Sequence, residues 1–433
     1  MQVTLVYACY LCSMKVLLLG NGGREHAMAW KIAQSELCEQ LFIAPGNPGT
    51  ALCGTNVAIS VNDFEGLLSF CNSNAVDMIV VGPEDPLVNG IVDFFKTHSS
   101  IPVIGPDKMA AQLEGSKAFA KQFLIKHAIP TASYKEITLQ NIQDGLTYLD
   151  SHTMPVVLKA DGLAAGKGVV ICNSIEEAKQ ELQSMLSGKF GEAGNKVVIE
   201  DFLDGIELTV IILTDGKNYK ILPASKDYKK IGEGDTGLNT GGMGAVSPPP
   251  FATKEFIKKV EKEIIQPTIN GLQQDNIQYK GFLYFGLINV NGSPYVIEYN
   301  CRLGDPETQV IMPRIKSDVL KLFIAVANNT LGDETMEVDE KVCATVILAS
   351  HGYPGIFEKG YVIQGLENTE NCMVFQAGTI LNTSGELVSN GGRVMAVSAY
   401  GKNHQDALQL CYVNVGRIYF DSRYFRRDIG FDL

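Results

Sequence analysis

The sequence predicts a mixed α/β protein that opens with a doubly wound parallel sheet and closes in β-rich structure. Three observations predict it. First, short apolar runs (Val16–Leu19, Met78–Val81, Ile101–Ile104) each end in a turn rich in Gly or Pro, with helical patterns between them. Strands buried on both faces read as such runs, and helices then cover the sheet on both sides. Second, from Thr131 to Ser225 the strands lengthen and become β-branched. Third, β-rich patterning returns from about residue 340.

The elements follow in order. Val16–Leu19 leads into Gly20-Asn21-Gly22-Gly23 and a helix from Arg24 to about Ala33. Met78–Val81 ends in Gly82-Pro83-Glu84-Asp85-Pro86, and Ile101–Ile104 ends in Gly105-Pro106. Ligands of such sheets bind at the carboxyl ends of the strands, where these turns fall. Residues 108–127 predict one helix carrying Lys108, Lys117, Lys121 and Lys126. Strands are expected at Val156–Lys159, Val169–Ile171, Val197–Glu200, Glu207–Leu213 and Tyr219–Pro223. Between Lys226 and Gly244 lies a loop with six glycines and few apolar residues, and a structureless loop of that length points to function. Thr253–Gln274 predicts a helix, and Phe282–Val290 with Pro294–Tyr299 predicts a hairpin turned by Asn291-Gly292. A last helix is expected near Gln405–Ile418.

Composition narrows the function. At roughly 100–200 residues per domain, a chain of 433 residues holds two to four domains. With 45% hydrophobic and 19% charged residues it is a globular protein, not a disordered one. A formal charge of -12 argues against a broad nucleic-acid surface but leaves room for a local anion pocket. No stretch approaches the roughly 18 apolar residues that would cross a membrane. The ten cysteines are scattered, and Cys9–Cys12, the single C-x-x-C, has no second pair to complete a zinc set. Reduced thiols in the cytoplasm are therefore expected. Residues 1–13 have no Lys or Arg and read as an extension ahead of Met14 rather than a signal peptide.

Four segments carry chemistry. Gly20-Asn21-Gly22-Gly23-Arg24 joins a strand to a helix, where free amides and small residues can hold a phosphate; Glu25 stands where a dinucleotide fingerprint has its third glycine. Lys159-Ala-Asp-Gly-Leu-Ala-Ala-Gly-Lys-Gly168 lies between two strands and lacks the P-loop spacing, so it reads as a hairpin over phosphates with Lys159 and Lys167 as candidate charges. Glu200-Asp201-Phe202-Leu203 reads on its residues as a solvated strand end, although an acidic residue before an apolar connector also suits adenine and ribose. In Glu298-Tyr-Asn-Cys-Arg-Leu-Gly-Asp-Pro-Glu307, Glu298 and Asn300 share one face of a strand. A carboxylate and an amide oxygen suit Mg²⁺ shared with nucleotide phosphates, and Arg302 adds a fixed cation beside them.

NGGREHA, GPEDPLVNG, LEGSKAFAK, KADGLAAGKGV, DTGLNTGGMGA, EYNCRLGDPETQ and YFRRDIG, in that order from Met14 to the C-terminus, together resemble the phosphoribosylamine–glycine ligases of the ATP-grasp superfamily. The resemblance implies a doubly wound domain at 14–115, an ATP-grasp region at 116–335 with a mobile lid at about 131–205, and a β-rich domain at 336–433. It also implies ligation of glycine to 5-phosphoribosylamine with ATP and Mg²⁺ or Mn²⁺. Transient contact with neighbouring purine-pathway enzymes is a further implication.

Residue by residue, the resemblance puts Lys117, Lys159, Gly166 and Lys167 at the ATP phosphates, Glu200, Phe202 and Leu203 at the adenine, and Glu207 on the ribose. Glu298 and Asn300 match the metal ligands. Gly22, Gly23, Arg24, Pro83, Glu84, Asp235, Asn239, Gly241, Gly242, Met243, Arg302, Gly304, Asp305, Pro306 and Glu307 match the walls of the amine and glycine sites. Arg302, Lys159 and Asp305 take the catalytic roles. The chain departs from the family at Tyr228 and Lys230, where His and Arg are usual, which puts contacts from that segment in question.

Overall fold

The computed structural model describes residues 13–162 and 168–433. Five strands, β1 (Met14–Gly20), β2 (Cys38–Pro45), β3 (Thr55–Asn56), β4 (Met78–Val81) and β5 (Val103–Ile104), form a parallel sheet in the order β3-β2-β1-β4-β5. Helices α1 (Gly23–Ile32), α2 (Phe64–Asn74), α3 (Glu84–Asn89) and α4 (Ile91–His98) connect them. Val16 and Leu18 pack into one apolar cluster and Leu17 and Leu19 into another, on opposite faces, so both sides of β1 are covered. Full burial of each such side chain contributes about 1.5–3 kcal/mol, which is why a run of four apolar residues suffices for a strand. The order reverses between β1 and β4, and their carboxyl ends carry the Gly20–Arg24 loop and the Gly82–Glu84 turn. This is the switch point at which ligands enter such sheets.

The helix expected over 108–127 is two helices. α5 (Gln112–Gly115) stops at Ser116, whose extended backbone (φ -137°, ψ 116°) breaks the ladder. The Ser116 hydroxyl then accepts from the Phe119 N–H and starts α6 (Lys117–Lys126). The break turns Lys117 and Lys121 toward the cavity described below.

Next comes an antiparallel sheet of β6 (Tyr134–Thr138), β7 (Val156–Ala160), β8 (Val169–Cys172) and β9 (Lys196–Asp201), in the order β6-β9-β7-β8. With α7 (Ile142–Asp150) and α8 (Ile175–Ser184) it encloses an apolar core of its own. The strands that follow are β10 (Ile206–Thr214), β11 (Tyr219–Ile221), β12 (Lys226–Asp227), β13 (Lys230–Gly232), β14 (Thr236–Asn239) and β15 (Gly244–Ser247). The loop expected between Lys226 and Gly244 is thus not structureless. β13 and β14 form a hairpin, while β12 and β15 join a sheet built mainly from residues beyond 340. Strands of two to four residues leave no alternating pattern, and β15, to which β12 is paired, is held by a partner about a hundred residues away.

Beyond α9 (Lys254–Val260) and α10 (Gln266–Gln274), β16 (Gly281–Val290) and β17 (Ser293–Asn300) complete the central sheet β11-β10-β16-β17. Asn291 (φ 51°) and Gly292 (φ 83°) take the left-handed conformations that the hairpin turn requires. The chain then runs through α11 (Thr308–Arg314) and α12 (Val319–Asn328) into β18 (Val342–Ser350), β19 (Met373–Gln376), β20 (Thr379–Leu381), β21 (Leu387–Ser389), β22 (Arg393–Gly401), α13 (His404–Arg417) and β23 (Arg423–Tyr424). Among the described residues, no helix is long and apolar enough to cross a membrane.

Candidate active site

The central sheet, the β6–β9 sheet, the switch point and the C-terminal sheet converge on one cavity of about 1000 Å³. Lys117 and Lys121 reach it from α6, Lys159 from β7 and Glu200 from β9. Glu298 and Asn300 reach it from β17, and Arg302, Gly304, Asp305 and Glu307 from the turn that follows. Arg24, Glu84, Glu207, Asp235, Asn239 and Gly241 complete its predicted wall.

The Glu200 carboxylate lies 2.9 Å from Lys159 Nζ and 3.1 Å from Lys121 Nζ, and all three side chains are buried. Glu200 is therefore not the solvated strand end that its residues suggest. Its charge is spent on two lysines rather than offered to hydroxyls. Lys159 Nζ also donates to the Ile297 carbonyl at 3.1 Å, which aims it at β17. Burial pulls Lys121 down to about 8, against the opposing pull of Glu200. Burial likewise lowers Lys117, with Glu298 the main opposing charge. Ala120, Leu124, Ile171 and Ile206 give the same end of the cavity an apolar wall. Ile171 and Ile206 are large apolar side chains left 45% exposed.

Glu298 and Asn300 are half-buried and face the cavity. Among the described residues there is no cluster of three or more His, Cys, Asp or Glu able to hold a metal alone. A carboxylate and a carboxamide that leave most positions open fit Mg²⁺, which keeps waters and nucleotide phosphates as its other ligands.

Arg302 is gripped by two carboxylates. Its Nη2 is 2.8 Å from Glu114 and its Nε 3.2 Å from Glu84. Burial raises Glu84, but Arg302 and Arg24 outweigh it and hold the group down to about 2. Arg24 is fixed in turn by its bond to Glu25 at 2.6 Å and to the Leu303 carbonyl at 3.1 Å. Asp305 accepts from Gln309 at 2.7 Å and pairs with Arg393 at 3.3 Å. Burial would raise it, yet Arg393 and Arg24 hold it below the usual carboxylate range. Glu207 is occupied by Lys229 at 2.8 Å, and Asp235 by Arg426 at 2.6 Å. Glu307 is buried and accepts from the Tyr284 hydroxyl at 3.0 Å.

Other predicted wall residues stand elsewhere. Gly22 opens onto a second cavity of about 620 Å³, between the α1 start and the C-terminal sheet. Its amide donates to Glu25 Oε2 at 2.7 Å, so the anion at this helix start is the chain's own Glu25, not a free phosphate cradle. Gly23, Pro83, Gly242 and Pro306 lie behind the walls. Gly242 (φ 112°) has no room for a Cβ, which would come within 2.4 Å of the Pro306 ring. Met243, directly before β15, is fully buried in the C-terminal apolar cluster. Phe202 and Leu203 do not line either cavity. Gly166 and Lys167, the middle of the predicted phosphate hairpin, lie outside the described residues. Tyr228 does not itself line the cavity, but its hydroxyl donates at 2.9 Å to Asp432, which does line it, as does Lys230.

Sequence reasoning missed Glu114, Lys121, Tyr353 and Arg393 as site residues. Asp305, Tyr353 and Arg393 line both cavities and form the wall between them. Arg393 Nη1 donates to the Asp305 carbonyl at 2.6 Å and the Gly241 carbonyl at 2.7 Å, and the Gly241 N–H donates to the Tyr353 hydroxyl at 3.0 Å.

The described geometry has relatives. Family models match three consecutive segments: phosphoribosylglycinamide synthetase N domain over 14–114, its ATP-grasp (A) domain over 115–308 and its C domain over 343–432. The phosphoribosylamine–glycine ligase of Pasteurella multocida is 49% identical over 423 residues, covering 96% of this chain and 98% of that one. The solved phosphoribosylamine–glycine ligase of Thermotoga maritima superposes with a TM-score of 0.84 at 35% identity, covering 96% of this chain and 99% of that one. The N5-carboxyaminoimidazole ribonucleotide synthetase of the same organism superposes at 0.64 with 15% identity over 94% of this chain and 99% of that one, a likeness of fold alone. The ATP-grasp architecture and all three segment matches agree, and the chain belongs to the phosphoribosylglycinamide synthetase family.

Proposed function

We propose that the chain ligates glycine to 5-phosphoribosylamine with ATP, giving glycinamide ribonucleotide, ADP and phosphate through glycyl phosphate. The observation that carries this reading is that Lys117, Lys159, Glu298, Asn300 and Arg302 line one cavity. Adenine lies against Ile171, Ile206 and Leu124, and the phosphates run from Lys159 toward Lys117. Glu298 and Asn300 would hold Mg²⁺ or Mn²⁺, which would supply charge neutralisation to the phosphates.

A glycine carboxylate oxygen attacks the γ-phosphorus, the bond to the β,γ-bridging oxygen breaks, and ADP leaves. Two anions meet in this step, so Arg302 supplies charge where it is needed. The amine of phosphoribosylamine, held in the second cavity beside Asp305, then attacks the acyl carbon. Phosphate leaves and the amine gives up a proton. Asp305 stays ionised because its folded value lies below the usual range. It therefore orients the amine by accepting from it and is a weak resting place for the proton. Histidine is not used: His26, the buried one nearest the switch-point loop, is an acceptor from the Gln376 N–H.

The test is phosphate release by the purified chain with glycine, phosphoribosylamine, ATP and Mg²⁺, omitting each in turn. Release is expected when all four are present. Equal release with bicarbonate in place of glycine would overturn the reading. Arg302→Lys is the variant of choice, because Arg302→Ala would strand the buried Glu114 carboxylate and confuse folding with catalysis.

A further inference from the structure

Arg302 sits in the turn after β17 on a long side chain that has to be aimed. The two carboxylates that aim it are unequal. The Glu84 side chain is 31% exposed, whereas that of Glu114 is 5% exposed. Glu114 uses both oxygens. Oε1 pairs with Arg302 Nη2 at 2.8 Å, and Oε2 accepts the Cys301 backbone N–H at 2.7 Å. One carboxylate is thus fastened to the backbone of residue 301 and the side chain of residue 302 together. It reaches them from α5, directly before the Ser116 break that aims Lys117. On the other side, Asn300 immediately precedes the fastened pair.

The geometry points to Glu114 as a positioning residue: it splints Arg302 against the reacting carboxylate and phosphate, and leaves Glu84 as the partner that an incoming anion displaces. This rests on the ligase reading above and names what makes its cation rigid. The energetics agree. Burial lifts Glu114 to about 7 even with Arg302 beside it. A buried pair of this kind adds little net stability, and what it supplies is a defined geometry.

The experiment uses the full chain. In Glu114→Gln one acceptor oxygen becomes an amide NH₂, so the side chain cannot accept from Arg302 and Cys301 at once. Its kcat is expected to fall about tenfold or more, with the ATP KM within about twofold of wild type and Tm within about 4 °C. In an Arg302→Lys background the same substitution is expected to change kcat by less than about twofold. An undiminished kcat, or an equal loss in both backgrounds, overturns the splint. Glu114→Asp keeps the charge but cannot span both contacts, and full turnover by that variant overturns it too.

A crystal structure of Glu114→Gln gives a readout independent of which reaction is catalysed. The Arg302 guanidinium is expected to shift by about 1 Å or more, the scale on which misplacement becomes costly. An unmoved guanidinium overturns the proposal. Failure of the wild-type chain to ligate glycine would instead overturn the ligase reading alone.

Discussion

The carboxylate of Glu200 lies 2.9 Å from the ammonium of Lys159, with 5% and 6% of the respective side chains exposed. The pair is triangular, since Lys121 approaches the same oxygen at 3.1 Å. Removing the anion leaves two buried cations facing each other. Glu200→Ala is expected to cost about 3 kcal/mol of stability, the range seen when one partner of a buried pair is lost. Chemical denaturation measures it. The ATP KM should rise about tenfold as Lys159 loses its anchor. Stability and KM both unchanged would show that the triangle is dispensable.

His26 gives a pH signature. It is 4% exposed, and its Nδ1 accepts the Gln376 N–H at 2.8 Å, joining α1 to β19. Burial drives it from 6.5 down to about 4 in the folded chain. Below pH 6.5 the unfolded chain takes up this proton and the folded chain does not. The associated stability is therefore complete above pH 6.5 and lost as pH falls toward 4, about 3 kcal/mol in all. Glu114 and Asp227, both raised to about 7 by burial, run in the opposite sense. The comparison that isolates His26 is therefore wild type against His26→Asn. The stability gap between the two should narrow as pH is lowered from 7 to 4, and a constant gap would show that His26 titrates normally.

Much of this was legible because the chemistry is local. Gly82-Pro83 ends β4 where four apolar residues stop, and Asn291-Gly292 turns a hairpin by its own backbone preferences. Glu298 and Asn300 share a face because strands alternate, whatever surrounds them. Legibility failed where distant residues decide. Gly115-Ser116 is a weak local cue for a break, and the break is fixed by Asp161, which accepts the Ser116 hydroxyl and the Ala118 N–H from 43–45 residues away. Glu200 looks like a surface acid until Lys121 and Lys159 fold onto it. Short β12 and β15 join their sheet through β18, about a hundred residues on. Motif resemblance reached residues such as Asp235, but it gave no sign that Arg426 would occupy that carboxylate.

Tyr228 separates a family difference from a catalytic one. Its ring is buried beneath Arg426, 5.5 Å from the guanidinium carbon, and its hydroxyl bonds Asp432. Lys226 pairs with the same carboxylate. Tyr228→Phe should cost about 1 kcal/mol, the value of one hydrogen bond to a charged group with a second partner still in place. Its kcat and KM values should stay within about twofold of wild type. A large fall in kcat without loss of stability would mean that Tyr228 acts on the reactants through Asp432 at the cavity wall rather than on packing alone.

Arg393 is the residue on which the two cavities depend together. It comes from β22, nearly ninety positions beyond Asp305, and nothing local marks it. Its Nη1 bridges the carbonyls of Gly241 and Asp305, while Nη2 neutralises the Asp305 side chain. Gly241 is needed beneath it, since a Cβ there would come within 2.9 Å of the guanidinium carbon. Lysine retains the charge but has no planar fork with which to hold the two carbonyls on one nitrogen and the Asp305 carboxylate on the other. Arg393→Lys is therefore expected to keep Asp305 ionised yet loosen the wall between ATP and amine. ATP cleavage and ligation should uncouple, with phosphate release exceeding glycinamide ribonucleotide formation as glycyl phosphate meets water instead of the amine. Gly241→Ala, which pushes the same guanidinium aside from the other direction, should show the same excess. A ratio of one phosphate per product in both variants would place Arg393 outside the coupling of the two half-reactions.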